Sequence, residues 1–463
     1  MNQPAHQHPG REGRVSAVPA TVRPDSRLRI SRNGQVLVGG TPMRILRLSP
    51  TGAGQVRAWL AGEPVGTDPG TRALARRMLA AGMIHPTPSP GRYTRDDVTV
   101  VIPVKDNAAG LARLLHVTAD ISRRIVVDDG STEPITDASI RHHIPRGPAA
   151  ARNAGYRTAD TELIAFLDSD VEPDPHWLDP ILPLFDDPTV AAVAPRIRSH
   201  DHGLLGRYET HRSSLDMGPE PAVARPGGRI AYVATAALIV RRHALAQIGG
   251  FDETLRNGED VDLIWRLTAT GHTIRYQPDS LVRHQPRPTL RAWLHQRYAY
   301  GTSAADLAHR HPGHLHCARL PRLTAARWLA LALGRPRAMP PTLIEPLRQF
   351  RRLRRRGLPA ATAAAVVGDG EVSALLQLLD ALRRIWWPAA LLTRRGRRLL
   401  ALAYLPVAVD AAVRARDPRA ALLRITDDLA YGCGVWTACL RTRTPEPLLP
   451  QLNSPGRATD APR

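Results

Sequence analysis

Asp168 and Asp170 close the apolar run Leu163-Ile164-Ala165-Phe166-Leu167 as Asp-Ser-Asp. Residues i and i+2 of an extended strand point to one face, so both carboxylates are aimed together, as a divalent cation and the phosphates it carries require. The same residues, followed by Pro173 and Pro175, also spell turn and helix-cap chemistry. Two upstream runs that also end in polar residues favour the first reading. Ile125-Val126-Val127 runs into Asp128-Asp129-Gly130-Ser131, and Val98 to Ile102 ends at Pro103, with Lys105 and Asp106 just beyond. A fourth group follows the turn Asn257-Gly258. There Glu259-Asp260 opens a stretch in which Val261, Ile264, Trp265 and Leu267 keep helical period. Acids in a first helical turn also satisfy free amides and the helix dipole. Asp260 is the residue best placed to act as a base, whereas Asp262 and Arg266, at i and i+4, support the helix.

Three β-branched runs closing on polar residues and separated by helix-length stretches specify an α/β fold with a mainly parallel sheet. Ligands of such sheets sit beyond the carboxyl ends of the strands, so the acids are expected to share one crevice. Before them, Leu28–Ile30 and Gln35–Val38 flank Asn33-Gly34, a strong hairpin signal, and helical patterns cover Gly54–Leu60 and Gly70–Ala81. This reads as a small winged-helix-like module. Gly52-Ala53-Gly54 is no dinucleotide fingerprint, because Arg57 stands where the third glycine belongs. The expected organisation is a disordered tail over 1–24, the module over 25–85, and a Pro-rich linker over 86–95. A catalytic α/β domain follows over 96–310, then a helical region over 311–445 and a disordered tail over 446–463.

The chain has 463 residues, 63 of them Lys or Arg against 42 Asp or Glu, for a net charge of +21, and Lys105 is its one lysine. That balance favours anionic partners such as nucleoside diphosphates or acidic lipid surfaces. Scarce Phe and Tyr, with no zinc-finger or RNA-stacking signature, argue against nucleic acid. Cys317, Cys433 and Cys439 have neither metal-ligand spacing nor disulfide pairing, which suits a reducing cytoplasm. No signal peptide is legible, and no uninterrupted apolar run reaches the roughly 18 residues of a membrane span. The C-terminal helices mix Arg351-Arg352, Arg354–Arg356, Trp386-Trp387 and Arg394-Arg395 with apolar stretches. They read equally as a peripheral contact with the inner face of the membrane or as a helical domain with a solvated basic face. His309, His311, His314 and His316 read as incidental loop histidines, since no carboxylate is near in sequence.

Val100-Val101-Ile102-Pro103, Asp128-Asp129-Gly130-Ser131, Ala151-Arg152-Asn153-Ala154-Gly155, Asp168-Ser169-Asp170, Gly249–Glu253 and Gly258-Glu259-Asp260 occur in this order. The series resembles the family-2 glycosyltransferases of GT-A fold. The resemblance implies inverting, metal-dependent transfer of a sugar from a nucleoside diphosphate sugar to an acceptor hydroxyl. It assigns the nucleotide sugar to Pro103, Val104, Asp106, Asp128, Asp129, Arg152 and Asp168. Magnesium or manganese falls to Asp170, Asp168 and His284, and catalysis to Asp260 with Glu259. Gly228–Thr235 would form the acceptor side. Gln296-Arg297-Tyr298 stands where processive relatives carry Gln-x-x-Arg-Trp, and the incomplete signature argues against long processive synthesis. The N-terminal module, with Leu46–Ser49 and Ala81–Pro86, resembles the PqqD-like peptide-recognition domains. Fusion of the two is similar to the glycosyltransferases of mycofactocin systems, which implies glucose from UDP-glucose, β-linked to a peptide-derived redox cofactor or its precursor. The alternative is a cell-envelope transferase that adds rhamnose, galactofuranose or another sugar to a lipid-linked glycan.

Overall fold

A computed structural model describes residues 18–335, 337 and 343–453. The N-terminal unit comprises β1 (Val22–Pro24), β2 (Arg29–Ile30), β3 (Val36–Gly39), β4 (Arg44–Arg47), α1 (Pro50–Leu60), α2 (Pro69–Ala81) and β5 (Ile84–Pro86). Strands β2, β3 and β4 form an antiparallel meander, and β1 pairs with β5. The hairpin turns at Asn33-Gly34, where Gly34 takes a positive φ of 76° and Asn33 Oδ1 accepts from the Gln35 amide at 3.1 Å. Ser49 and Asp68 cap α1 and α2, each ahead of a proline at the first helical position.

The central unit runs β6 (Val98–Val104), α3 (Ala108–Val117), β7 (Arg124–Asp128), β8 (Ile140–Arg141), α4 (Pro148–Thr158), β9 (Leu163–Leu167), β10 (Val171–Pro173) and β11 (Val190–Ser199). It continues through α5 (Gly203–Arg212), β12 (Ala222–Ala224), β13 (Ala237–Arg241), α6 (Arg242–Gln247), α7 (Glu259–Ala269) and β14 (Thr273–His284). The sheet order is β10-β14-β11-β13-β9-β6-β7-β8, with β12 on β14. The three apolar runs of the sequence are neighbours in it, β9, β6 and β7, all parallel. Their unbroken apolar character follows from burial on both faces. Leu163, Ala165 and Leu167 pack into one core and Ile164 and Phe166 into the other. Strand β13 enters antiparallel between β9 and β11, so the sheet is mixed.

Beyond it lie α8 (Leu290–Arg310), β15 (Arg319–Pro321), α9 (Arg322–Ala332), α10 (Ile344–Arg355), α11 (Ala360–Arg384), α12 (Trp387–Leu391), α13 (Arg394–Asp410), α14 (Arg419–Thr442) and β16 (Gln451–Asn453). Helix α14 lies against α8 in a contact made possible by glycine. A Cβ at Gly301 would overlap the Tyr431 carbonyl and stand 3.0 Å from Gly434 Cα, and one at Gly434 would overlap the Tyr298 carbonyl. Helix α8 thus belongs as much to the C-terminal bundle as to the sheet.

Order extends further at both ends than the expected tails. Val22–Pro24 is a strand, and Gln451–Asn453 pairs in parallel with β15 because its backbone finds partners there. The disorder expected over 1–17 and 454–463 lies outside the described residues. Linker residue Tyr93 is buried, its hydroxyl joined to Glu162 and to Arg241. Helix α11 is long and apolar enough to cross a membrane by length and composition, although Asp369 and Glu371 interrupt it.

The N-terminal unit is tied to the central one through Asp25. This buried carboxylate meets His85 Nε2 at 3.1 Å and accepts from Arg229 Nη2 at 3.3 Å. Arg225 donates to the Ala80 carbonyl at 2.7 Å. Both arginines belong to the segment that leads from β12 toward the carboxyl edge of the sheet.

Gly301→Ala and Gly434→Ala are each expected to lower stability by about 1–3 kcal/mol through overpacking. Gly368→Ala and Gly370→Ala, in α11 with open space around them, should gain up to about 1 kcal/mol. Urea denaturation of the full chain compares them.

Candidate active site

A cleft of about 1520 Å³ opens beyond the carboxyl ends of β6, β7 and β9. Asp106, Asp129, Asp168, Asp170 and Asp260, spread over more than 150 residues of sequence, all line it. The crevice expected from strand order is therefore present.

On one side, Pro103 and Val104 end β6, and Asp106 follows at a positive φ of 51°. Its amide donates to Ser131 Oγ at 2.9 Å and its carboxylate accepts from the Thr132 amide at 2.7 Å, which locks the β6 and β7 loops together. Asp128 differs from its expected role. Fully buried, it accepts from the Ser131 and Ile135 amides and pairs with Arg141 at 3.1 Å, so its oxygens shape the turn and do not line the cleft. Asp129 borders the cleft, but its carboxylate is held by His142 Nδ1 at 2.8 Å and by the Arg146 and Gly147 amides.

Arg152 occupies the centre. Buried on α4, it donates to Asp168 Oδ1 at 2.6 Å and to Glu259 Oε1 at 2.9 Å. Burial alone would lower its pKa; the two carboxylates raise it above the usual value, so it stays cationic. Glu259, expected beside Asp260 in catalysis, is thereby the partner of Arg152 and a positioning residue. Asp168 is pushed upward by burial and by the charge of Asp170, against the pull of Arg152. Asp170 moves the other way: burial raises it, but His284 and Arg287 outweigh that and leave it below the carboxylate range. His284 Nε2 stands 3.5 Å from Asp170, and Arg287 3.7 Å.

Among the described residues no three His, Cys, Asp or Glu side chains close around one point. A divalent cation that shares its shell with a diphosphate needs only one or two carboxylates from the protein. Asp170 and His284, with Asp168 adding negative charge, fit that description. The crowding of Asp168 by Asp170 is the electrostatic strain that such a cation relieves.

Across the cleft, Asp260 sits in the first turn of α7, where one oxygen accepts from the Val261 amide at 2.8 Å. No cation pairs with it among the described residues. Burial, then the charge of Glu259, raise its pKa to about 7. A carboxylate poised there can take a proton near neutrality. Ala231, Tyr232, Ala234 and Thr235 of the expected acceptor segment line the same side.

Several residues of the site had no legible role in the sequence. Asn153 donates to the Phe251 carbonyl and to Glu253, tying α4 to the loop before α7. Asn107 caps α3 and donates to Ser169 at 3.1 Å. Arg384, Arg424, Asp427 and Tyr431 reach the cleft from α11 and α14. His311, read as incidental, meets Asp262 at 2.9 Å, a partner 49 residues away in sequence.

A mixed, mainly parallel sheet with flanking helices and an acid-lined cleft at its carboxyl edge defines a GT-A nucleotide-sugar transferase. Residues 99–249 match the family model "Glycosyl transferase family 2". The chain is 40% identical over 464 residues to the pre-mycofactocin glycosyltransferase of Mycobacterium tuberculosis (strain ATCC 25618 / H37Rv), covering 94% of this chain and 98% of that protein. The chain belongs to glycosyl transferase family 2. Succinoglycan biosynthesis protein ExoU of Rhizobium meliloti is 29% identical over 197 residues, 38% of this chain and 58% of its own. Among solved structures, the mannosyltransferase PcManGT from Pyrobaculum calidifontis in complex with GDP-Man and Mn2+ is 18% identical with a TM-score of 0.44, covering 76% of this chain and 90% of that one.

Arg152→Met strands two carboxylates in a largely buried site and is expected to destabilise the chain by about 3–5 kcal/mol. Arg152→Lys keeps the charge but loses the fork that bridges both acids, and should fall between. Chemical denaturation checks the order.

Proposed function

We propose that this enzyme transfers glucose from UDP-glucose, with inversion to a β-linkage, onto mycofactocin or its precursor, a peptide-derived redox cofactor. One observation carries the chemistry: Asp260, raised toward neutrality, faces Asp168 and Asp170 across a single cleft, and His284 stands 3.5 Å from Asp170. The near-full-length likeness to the pre-mycofactocin glycosyltransferase supports the acceptor. The PqqD-like resemblance of the N-terminal unit supports a peptide-derived one.

In this reading the acceptor oxygen attacks the anomeric carbon from the face opposite the diphosphate. The bond from that carbon to the diphosphate oxygen breaks, and the acceptor proton passes to Asp260. A single displacement of this kind inverts the anomeric centre. Pro103, Val104, Asp106 and Asp129 border the nucleotide, and Arg152 fixes Asp168 beside it. Asp170, Asp168 and His284 would hold magnesium or manganese, which when bound neutralises charge on the departing diphosphate. The reaction belongs in the reducing cytoplasm, consistent with the free Cys317, Cys433 and Cys439. Peripheral membrane contact is supported by exposed Leu402 and Leu405 close in sequence to the basic segment Arg394–Arg398.

The test is a screen of nucleotide sugars against acceptors with purified full chain. Glucose transfer to a mycofactocin precursor, lost with a chelator and restored by magnesium or manganese, is the expected result. Transfer only to polyprenyl-linked glycans would overturn the reading in favour of a cell-envelope transferase.

The pH dependence follows from Asp260. A base must be ionised, so kcat/KM should rise about tenfold per pH unit below about 7 and level off above. Asp260→Asn should lose roughly 100- to 10,000-fold in kcat while nucleotide binding stays intact. Initial rates and nucleotide titrations read both.

A further inference from the structure

Beside the loop that leads into α7 lies a second cavity, of about 510 Å³, within the range of about 300–1,000 Å³ typical of small-molecule sites. One side is a face of α8, where Tyr298, Ala299, Thr302 and Asp306 recur at helical spacing. Thr437, Ala438 and Arg441 of α14 stand opposite, and Arg256 and Asn257 of the loop close the end. The small side chains of Ala299 and Ala438 leave room between the helices. Arg256, Asn257, Ala299 and Ser303 also line the catalytic cleft, so the two spaces share a wall.

The polar groups around this cavity are unspent. Half-buried Asn257, Tyr298 and Asp306, and Arg256, His295 and Arg441 at the exposed rim, make no side-chain hydrogen bond or ion pair among the described residues. Their neighbours are committed: Arg310 is paired with Asp252, His311 meets Asp262 at 2.9 Å, and Arg297 is joined to Glu209. An aspartate and two arginines that border one cavity without pairing stand farther apart than an ion pair, a gap that a ligand can bridge. Thr302 and Ser303 donate to the Ala299 and Tyr300 carbonyls at 2.7 and 2.8 Å, so each hydroxyl has only lone pairs left to offer. Asp306 repels a phosphate or carboxylate, and Arg256 and Arg441 repel a cation. The set matches a neutral ligand dense in hydroxyls. Each hydroxyl can donate to Asp306 and accept from a guanidinium, whose fork spans two neighbouring oxygens, while the Tyr298 ring receives a C–H face. Pyranose rings carry all of these features.

We propose that this cavity is a saccharide-binding subsite that takes a neutral pyranose chain beside the catalytic cleft. The shared wall continues through Asn257 and Gly258 to Asp260, so sugar held here lies next to the base and its hydroxyls are gripped without reacting. That position relative to the chemistry rests on the reading of Asp260 as the base. The subsite makes Asp306 and Arg441 residues that select for carbohydrate.

The probe is cellotriose, a neutral β-linked glucose oligomer, titrated by ligand-observed NMR into the full chain saturated with UDP. Asp306→Ala is expected to weaken the probe at least about tenfold, through loss of hydrogen bonds to a charged group, Tyr298→Leu about fivefold and Arg441→Gln about threefold. UDP affinity should stay within about twofold throughout. No binding by the natural chain, equal binding by Asp306→Ala, or displacement of cellotriose by inorganic phosphate overturns the proposal. Should Asp306→Ala lose UDP as well, Arg441→Gln at the exposed rim decides, and an unchanged probe affinity there overturns it. The measurement requires no sugar transfer. If the donor-by-acceptor screen fails while the probe binds as expected, the proposed reaction is at fault and the subsite stands; if transfer occurs and the probe does not bind, the subsite is at fault and the reaction stands.

Discussion

The buried guanidinium of Arg152 joins the two halves of the cleft. One nitrogen binds Asp168, at the end of β9, and another binds Glu259, in the first turn of the helix that carries Asp260. Neither acid could be buried alone at acceptable cost, and the arginine could not be buried without them. The ion triad therefore sets the spacing between the strand end that carries Asp168 and Asp170 and the helix that carries Asp260. It also divides the labour of four acids. Asp168 and Glu259 are held, Asp170 is kept ionised by His284 and Arg287, and Asp260, left without a cation, rises toward neutrality.

Around that centre the cleft is assembled from unlike parts. The parallel strands β9, β6 and β7 deliver their acids in register because each ends at the same edge of one sheet. The side that carries Asp260 is built differently, from the segment before β13, from α7, and from two helices more than eighty residues further along the chain. Small residues at the α8–α14 contact substitute for the close strand spacing that the sheet provides. The strand-end half is thus rigid by hydrogen-bond ladder, and the Asp260 half by interhelical packing.

What could be read from the sequence follows this division. Strand ends, Asn33-Gly34 and the acids after Asn257-Gly258 are local signals, since each depends on residues within a few positions of one another. Their elements and their convergence on one crevice were legible. Asp128 was misassigned because two adjacent acids look alike in a sequence, whereas the strand's alternation turns the first into the core and the second toward the cleft. Arg384 and Tyr431 were hidden for another reason. Their placement depends on which helices pack, and glycines at 301, 432 and 434 announce a close approach without naming the partner. The pairing of His311 with Asp262 was likewise beyond reach, because no local pattern encodes a contact across 49 residues.

The Asp25 carboxylate carries an implication for anyone who would rebuild this molecule. It receives His85 from its own unit and Arg229 from the strip that continues into Ala231 and Tyr232 at the cleft. Amputating the first ninety residues would leave that arginine with the Pro221 carbonyl but no acid, and slacken the rim it steadies. A chimera that grafts a foreign recognition unit onto this transferase must bring an acid of its own to the same spot, or inherit a loosened entrance.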